Sequence, residues 1–219
     1  MSAHAEWLAE AIPEGEGWAL DLAGGKGKMR PLVERKGWRY VLLDRNPVNN
    51  GSLMVCSDAH TLPFRNNLFS LIILKDALEH FWNPWEAMLE VRRVLKEAGI
   101  LVIWVPFMHP FHGDDYYRYT PLALEKLLQG FTVIRFNSPL WVFSVFGLVV
   151  MEILKRMGLG LLAGPVRNIT WWLDHLVQRP RVNPRSFAGA YLIVAAKDKQ
   201  VSGLDGKQEN LFDTAHIEK

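Results

Sequence analysis

Seven short apolar runs punctuate the chain: Trp18 to Leu22, Tyr40 to Asp44, Leu53 to Cys56, Phe69 to Leu74, Gly99 to Pro106, Phe131 to Phe136 and Ala190 to Lys197. Hydrophobic residues are nearly continuous within them, the pattern of strands buried on both faces, and helix-like stretches separate them. The pattern predicts an α/β fold with a mostly parallel sheet. A helix is expected from Ala5 to Ile12, stopped by Pro13. Another opens at Asn83, a good N-cap, with Pro84 in the first helical position and Glu86 completing a capping-box-like pair. Met88, Leu89, Val91, Val94 and Leu95 give it a buried face, and Gly99 is expected to end it. A third helix is expected from Thr120-Pro121 to just before Gly130. Five of the strands precede a loop starting at Phe107, and the polar tail 198–219 lacks any period and is expected to be flexible.

With 219 residues, 49% of them hydrophobic, the chain can bury one substantial core, so residues 1–197 are expected to form one domain. A formal charge of +2 is too mild to announce a nucleic-acid partner. The single cysteine, Cys56, excludes an intramolecular disulfide and a cysteine-based zinc cluster. The N-terminal stretch carries acids where a signal peptide would be basic, so a cytoplasmic location is expected.

Candidate chemistry begins where the first strand ends. An open parallel sheet takes its ligand beyond the carboxyl ends of its strands, and "DLAGGKG" (Asp21 to Gly27) falls there. Glycines allow close backbone approach, and a helix expected to start near Gly27 would aim free amides at an anionic group. The dinucleotide pattern is incomplete, because Arg30 stands where its third glycine belongs, and no Gly-Lys-Ser/Thr of a P-loop appears. Asp21 could accept from an ammonium. Asp44, closing the second strand, could accept from ribose hydroxyls, and Asp58 follows the third strand.

The ordered set "ALDLAGGKG", "YVLLDRNP" and "CSDAHTLPFRNNLFSLIILKDALEHFWNPWEAMLEVRRVLKEAGILVIWVP" resembles the class I S-adenosylmethionine-dependent methyltransferases, in their type 11-like branch. The resemblance spans about Trp18 to Pro106. It implies a Rossmann-like seven-stranded sheet of order 3-2-1-4-5-7-6 with the seventh strand antiparallel. It also implies S-adenosylmethionine as cofactor and S-adenosylhomocysteine as product. Carried over by position, Asp21, Ala23, Gly24, Gly25 and Gly27 would cradle the methionine part, Asp44 with Arg45 the ribose, and Asp58 with Ala59 the adenine. Lys75 would line the transfer region. Two departures stand out: Ala23 replaces the usual first loop glycine and Lys26 a small hydroxylic residue. An alanine is expected there only with negative φ.

Methyl transfer from a sulfonium is mostly a matter of positioning, and a base is needed only for a protonated nucleophile. The candidates are His80 and the segment "MHPFHGDDYYRYTP", which resembles a stretch of a methyltransferase subset found in sugar, polysaccharide and lipid modification. His112 is the candidate base or orienting group, with Asp115 its partner and Arg118 an anion clamp. In the competing reading, the tyrosines pack the loop and Arg118 pairs with Asp114 or Asp115. No metal is expected, since His109 and His112 lack a convincing third ligand.

Residues 137–187 separate the last two strands, where the family has a tight hairpin. Their apolar run, Leu140 to Met151, is too short to span a bilayer. Tryptophans and a basic excess suit contact with anionic headgroups over 139–185, at the inner membrane face; a substrate lid or a homodimer interface stays open beside it. The leading expectation is methyl transfer to a small-molecule, glycan or lipid-linked acceptor. The alternative is a non-catalytic S-adenosylmethionine-binding or scaffold protein, and a nicotinamide-dependent oxidoreductase comes third. Nucleic acid is not expected as a partner, because no Asn/Asp-Pro-Pro-Tyr/Phe-type segment follows the fourth strand.

Overall fold

The computed structural model describes residues 3–46, 51–111, 113–140, 142–177 and 188–199. The candidate base His112, the arginines Arg179, Arg181 and Arg185, and the tail from position 200 lie outside the described residues. Seven strands form one sheet: β1 (Trp18–Leu22), β2 (Arg39–Asp44), β3 (Leu53–Cys56), β4 (Phe69–Lys75), β5 (Leu95–Pro106), β6 (Phe131–Leu140) and β7 (Ala190–Lys197). Their order is β3-β2-β1-β4-β5-β7-β6, and β7 runs against the direction of the other six. All seven apolar runs became strands, in the order the family resemblance implies.

Alternate strand residues feed two cores, one on each side of the sheet. Leu20, Leu22, Ile72 and Leu74 pack with Met88 and Val91 of α3 (Pro84–Val94) and Leu124 of α4 (Pro121–Leu127). Ala19, Leu71 and Ile73 pack with Leu8 and Ala11 of α1 (Ala3–Ala11) and Val33 of α2 (Arg30–Arg35). Burial on both sides is why the strands read as continuous apolar runs.

Three expectations are corrected. The helix α3 ends at Val94 instead of reaching Gly99, because Leu95 pairs with Phe69 and begins β5. Its Leu89 is 67% exposed although its spacing suggested burial. β6 runs on through a register irregularity to Leu140, so the insertion starts after that residue and not at 137. α3 keeps its expected start: the Asn83 side chain accepts from the Glu86 amide at 3.4 Å.

The insertion is a helical hairpin, α5 (Val142–Arg156) and α6 (Ala163–Val177), joined by a 3-10 turn at Gly160–Leu162. The helices touch closely at Gly147, where an added Cβ would lie 2.5 Å from Thr170 Oγ1. Asp174 of α6 is buried and caps α5: its carboxylate accepts from the amides of Phe143 at 2.8 Å and Ser144 at 2.9 Å. No residue of either helix joins the two cores, and among the described residues neither packs extensively on any other element. No helix among them is long and apolar enough to cross a membrane.

Candidate functional site

The strand order reverses between β1 and β4, and the carboxyl ends of β1, β2, β4 and β5 share one rim. Asp21 sits at that rim inside β1, 1% exposed. Tyr40 donates to its Oδ2 at 2.5 Å, while Oδ1 is buried with no hydrogen-bond partner. Burial pushes the carboxyl up to about 6, against the opposing pull of the Tyr40 hydroxyl and the Lys75 ammonium. A buried acceptor without a donor is costly unless a ligand supplies one. Gly24 lies against it so closely that a Cβ there would stand 2.4 Å from the Asp21 Cγ.

The loop after β1 is a run of turns. Gly27 N donates to Gly24 O at 3.0 Å, Arg30 N to Gly27 O at 3.2 Å, and helix α2 starts at Arg30, three residues later than expected. Ala23 has φ +56°, which overturns the expectation of a negative value; its amide is held by Leu43 O at 2.7 Å. A left-handed alanine costs about 1 to 2 kcal/mol, so this loop carries strain where a glycine would carry none.

Asp44, at the end of β2, steadies the loop from the side: its Oδ2 accepts from Gly25 N and its Oδ1 from Asn46 N, both at 2.9 Å. Arg45 pairs with Asp58 at 3.1 Å, tying the loops after β2 and β3 together. Asp58 also accepts from the amide of His60 at 2.9 Å and from its Nδ1. Partial burial pulls the Asp58 carboxyl up, but the His60 amide and ring and the Arg45 guanidinium outweigh it and hold it below its usual range. The Asn83 amide donates to His60 Nε2 at 3.3 Å, which places the neutral ring's proton on Nδ1, facing Asp58. Buried Ala59 follows Asp58 directly. Arg93 fixes this loop from α3, donating to Leu62 O and Phe64 O at 2.9 and 2.7 Å, while Glu90 accepts from Leu62 N at 2.8 Å. Lys75 is the last residue of β4, not the first after it, and its ammonium pairs with Asp76.

A second cluster occupies the loops after β4 and β5. Tyr119 donates to Leu78 O at 2.9 Å and Tyr117 to Trp82 O at 3.1 Å, folding the tyrosine-rich segment onto the 3-10 turn Leu78–His80. Arg118 bonds Asp115 at 2.6 Å and lies over the Phe111 ring at 5.0 Å. The His80 Nδ1 stands 3.4 Å from Asp115 Oδ1 and 3.1 Å from the Asp114 carbonyl. Asp115 is thus engaged by Arg118, one of the two pairings the competing sequence reading offered, and also by His80, which neither reading paired with it.

Glu79 was missed in the sequence. It is fully buried, and neither carboxyl oxygen has a hydrogen bond. Burial first, with the Asp76 and Asp115 charges adding to it, pushes the group up to about 8, so it is mostly protonated at neutral pH. Glu79, His80 and Asp115 hold ligand atoms within 4.8 Å of one another, near enough to share a cation, but Arg118 already neutralises Asp115. For a carboxyl whose folded pKa lies above its unfolded 4.5, stability is greatest at low pH and falls as pH rises from about 4.5 to 8. Glu79→Gln is therefore expected to stabilise the chain by about 4 kcal/mol at pH 7.5 and by almost nothing at pH 4, read by urea unfolding at both values. An equal gain at both would show that burial does not raise the Glu79 pKa.

A family model described as "Methyltransferase domain" matches residues 20–103. The chain is 28% identical over 147 residues to an uncharacterized protein of Methanocaldococcus jannaschii, covering 63% of this chain and 65% of that one. It is 27% identical over 155 residues to demethylmenaquinone methyltransferase of Thermotoga maritima, covering 56% and 66%. Over 102 residues it is 33% identical to a ubiquinone/menaquinone biosynthesis C-methyltransferase of Coxiella burnetii, covering 38% and 40%. The chain thus spans just under two thirds of the first two of these relatives. Among solved structures, an S-adenosylmethionine dependent methyltransferase from Mesorhizobium loti superposes with a TM-score of 0.58 at 15% identity, covering 90% of this chain and 98% of that one. A [4+2]-cyclase superposes with a TM-score of 0.58 at 18% identity, covering 90% and 80%. Both share the fold.

Proposed function

We propose that the chain, whose residues 20–103 match the methyltransferase-domain model, is a class I S-adenosylmethionine-dependent methyltransferase that transfers a methyl group to a small-molecule, glycan or lipid-linked acceptor. The observation that carries the reading is Asp21 Oδ1, buried without a donor and pressed against Gly24 at the switch point of the sheet. An ammonium-bearing ligand satisfies that oxygen, and the other groups fit the remainder of such a ligand. Asp44 keeps acceptor capacity on both oxygens for ribose hydroxyls, and Asp58 with Ala59 would border the adenine. S-adenosylmethionine, when bound, supplies a sulfonium methyl that leaves by in-line displacement.

The chain's own residues do the positioning. Asp21 would orient the amino-acid end, the Ala23 to Gly27 loop would enclose it, and Lys75 would border the transfer region. The loops after β4 and β5, stitched by Tyr117 and Tyr119, would wall the acceptor side. Buried Glu79, mostly protonated at neutral pH, offers a neutral hydrogen-bond donor behind that wall. Two relatives are named for quinone-related methylation, which favours an apolar acceptor.

One observation favours a second reading, cofactor binding without transfer: the strained Ala23 at the mouth of the loop. Calorimetry with S-adenosylhomocysteine and tritiated-methyl transfer from S-adenosylmethionine to small-molecule, glycan and lipid extracts separate the two. Binding with transfer is expected; binding without transfer to any extract favours the second reading. The absence of any binding overturns both.

A further inference from the structure

Among the described residues, nothing covers one face of the α5–α6 hairpin. Along α5, Val142, Phe146, Val149 and Ile153 are 37 to 65% exposed, and Met157 continues the row at 66%. Along α6, Ile169, Trp172 and Leu176 are 54 to 58% exposed. Both sets recur at helical spacing. With the helices antiparallel and in contact through Gly147 and Thr170, the two rows fall on the same side of the hairpin. At its tip, Leu161 is 97% exposed between Leu159 and Leu162. The opposite side carries Glu152, Lys155, Arg156, Asn168 and His175. Neither helix contributes to the two cores, so among the described residues this apolar surface is not the inner side of a packed layer.

Charge selects the occupant. The hairpin carries exposed Lys155, Arg156 and Arg167 against half-buried Glu152 and buried Asp174, a net of +1, and both acids are engaged: Glu152 pairs with Arg156 at 3.2 Å and Asp174 caps α5, so the charge presented at the surface is positive. A second copy would bring a like-charged hairpin onto this one. An anionic lipid surface complements it: apolar rings and aliphatic chains enter the acyl boundary, and lysine and arginine heads reach the phosphates.

Position gives the contact a use. β6 ends at Leu140, which pairs with Ala190 of β7, itself opposite Pro106 at the end of β5. The hairpin therefore springs from the rim that also carries the acceptor-side loop, where Phe107 N bonds Gly189 O at 2.8 Å and Met108 and Phe111 are exposed.

We propose that the α5–α6 hairpin docks the chain on an anionic lipid bilayer, apolar face down, so that the acceptor side of the site opens at the membrane surface. That the acceptor is drawn from the bilayer rests on the methyl-transfer reading; the docking does not.

The test is co-sedimentation of the full chain with vesicles of phosphatidylcholine alone or of equal parts phosphatidylcholine and phosphatidylglycerol. The wild type is expected to pellet about tenfold better with the mixed vesicles, and to be released by salt. Ile153→Glu with Trp172→Glu is expected to lower partitioning about tenfold or more with S-adenosylhomocysteine affinity unchanged. Leu161→Asp, at a position open to solvent, is expected to weaken it without any packing consequence. Lys155→Gln with Arg167→Gln is expected to remove the preference for phosphatidylglycerol. A wild type that stays in the supernatant with both vesicles overturns the proposal. So does a wild-type dimer in sedimentation equilibrium that the glutamate pair splits, when no vesicle binding accompanies it. Vesicle binding without S-adenosylhomocysteine binding would leave the docking standing and remove the methyl-transfer reading; the reverse result would do the opposite.

Discussion

Asp21→Asn is expected to lower S-adenosylhomocysteine affinity about 100-fold while making the ligand-free chain more stable. The lost interaction is a buried carboxylate facing an ammonium, worth about 3 kcal/mol, or about two decades in affinity. The stability gain comes from the same burial. Asp21 has its folded pKa raised from 3.8 to about 6, so between those values the unfolded chain has released a proton that the folded chain keeps. Stability then falls as pH rises through that window, by about 3 kcal/mol in full. The asparagine does not titrate and escapes the loss, and it can still accept from Tyr40. Calorimetry and urea unfolding at pH 4 and pH 7 read both effects. A variant that binds as tightly as the wild type sinks the ammonium assignment; a stability gain that is the same at both pH values sinks the protonation account. Such a residue serves binding at the expense of stability, as expected of a ligand-holding group set in a dry pocket.

Gly24→Ala is the second large effect, and here fold and function suffer together. The new Cβ would stand 2.4 Å from Asp21 Cγ and Oδ2 and 2.7 Å from Oδ1. Either the carboxylate turns away from Tyr40, or the loop shifts and pulls Gly25 N off Asp44. Overpacking of this kind costs about 1 to 3 kcal/mol, and both routes also dismantle the pocket. A lower melting temperature and S-adenosylhomocysteine binding weakened beyond calorimetric detection are expected. Gly25→Ala is the informative comparison. Its Cβ meets nothing within 4 Å, so only its φ of +54° is penalised, about 1 to 2 kcal/mol. If the two substitutions prove equally mild, the close approach of loop and carboxylate does not exist in solution.

The strands were legible because burial on both faces leaves an apolar run that needs no partner to be recognised. The ordered motifs then supplied the sheet order, and Asp21, Asp44 and Asp58 do stand at one rim, at or just beyond the carboxyl ends of the neighbouring strands β1, β2 and β3. Local capping was equally readable at Asn83 and Thr120, since each bond there closes within three residues. Where the reading slipped, a distant partner decided: Leu95 continues a helical period, yet pairing with Phe69 turns it into a strand residue. Leu89 shares that period but faces away from the sheet.

Glu79 illustrates the harder case. "LEHF" gives no hint of which side chain is enclosed; the turn after β4 drives Glu79 inward and leaves His80 to meet Asp115, thirty-five positions on. His60 was an unremarked neighbour of the candidate Asp58 until the structure set its ring between Asp58 and the Asn83 amide. Asp174 reads as a surface acid of an amphipathic helix, whereas it closes the amide end of another helix.

By itself the chain's residue order determined the class of fold, the seven strands and the loop on which a ligand would rest, because periodicity, caps and glycine turns are short-range and each residue's preference is expressed among its near neighbours. Only the tertiary structure decided which carboxyls are dry, which histidine meets which acid, and which face of the hairpin is left bare. Those properties depend on the desolvation and charge that distant segments impose, and no single stretch of sequence contains them.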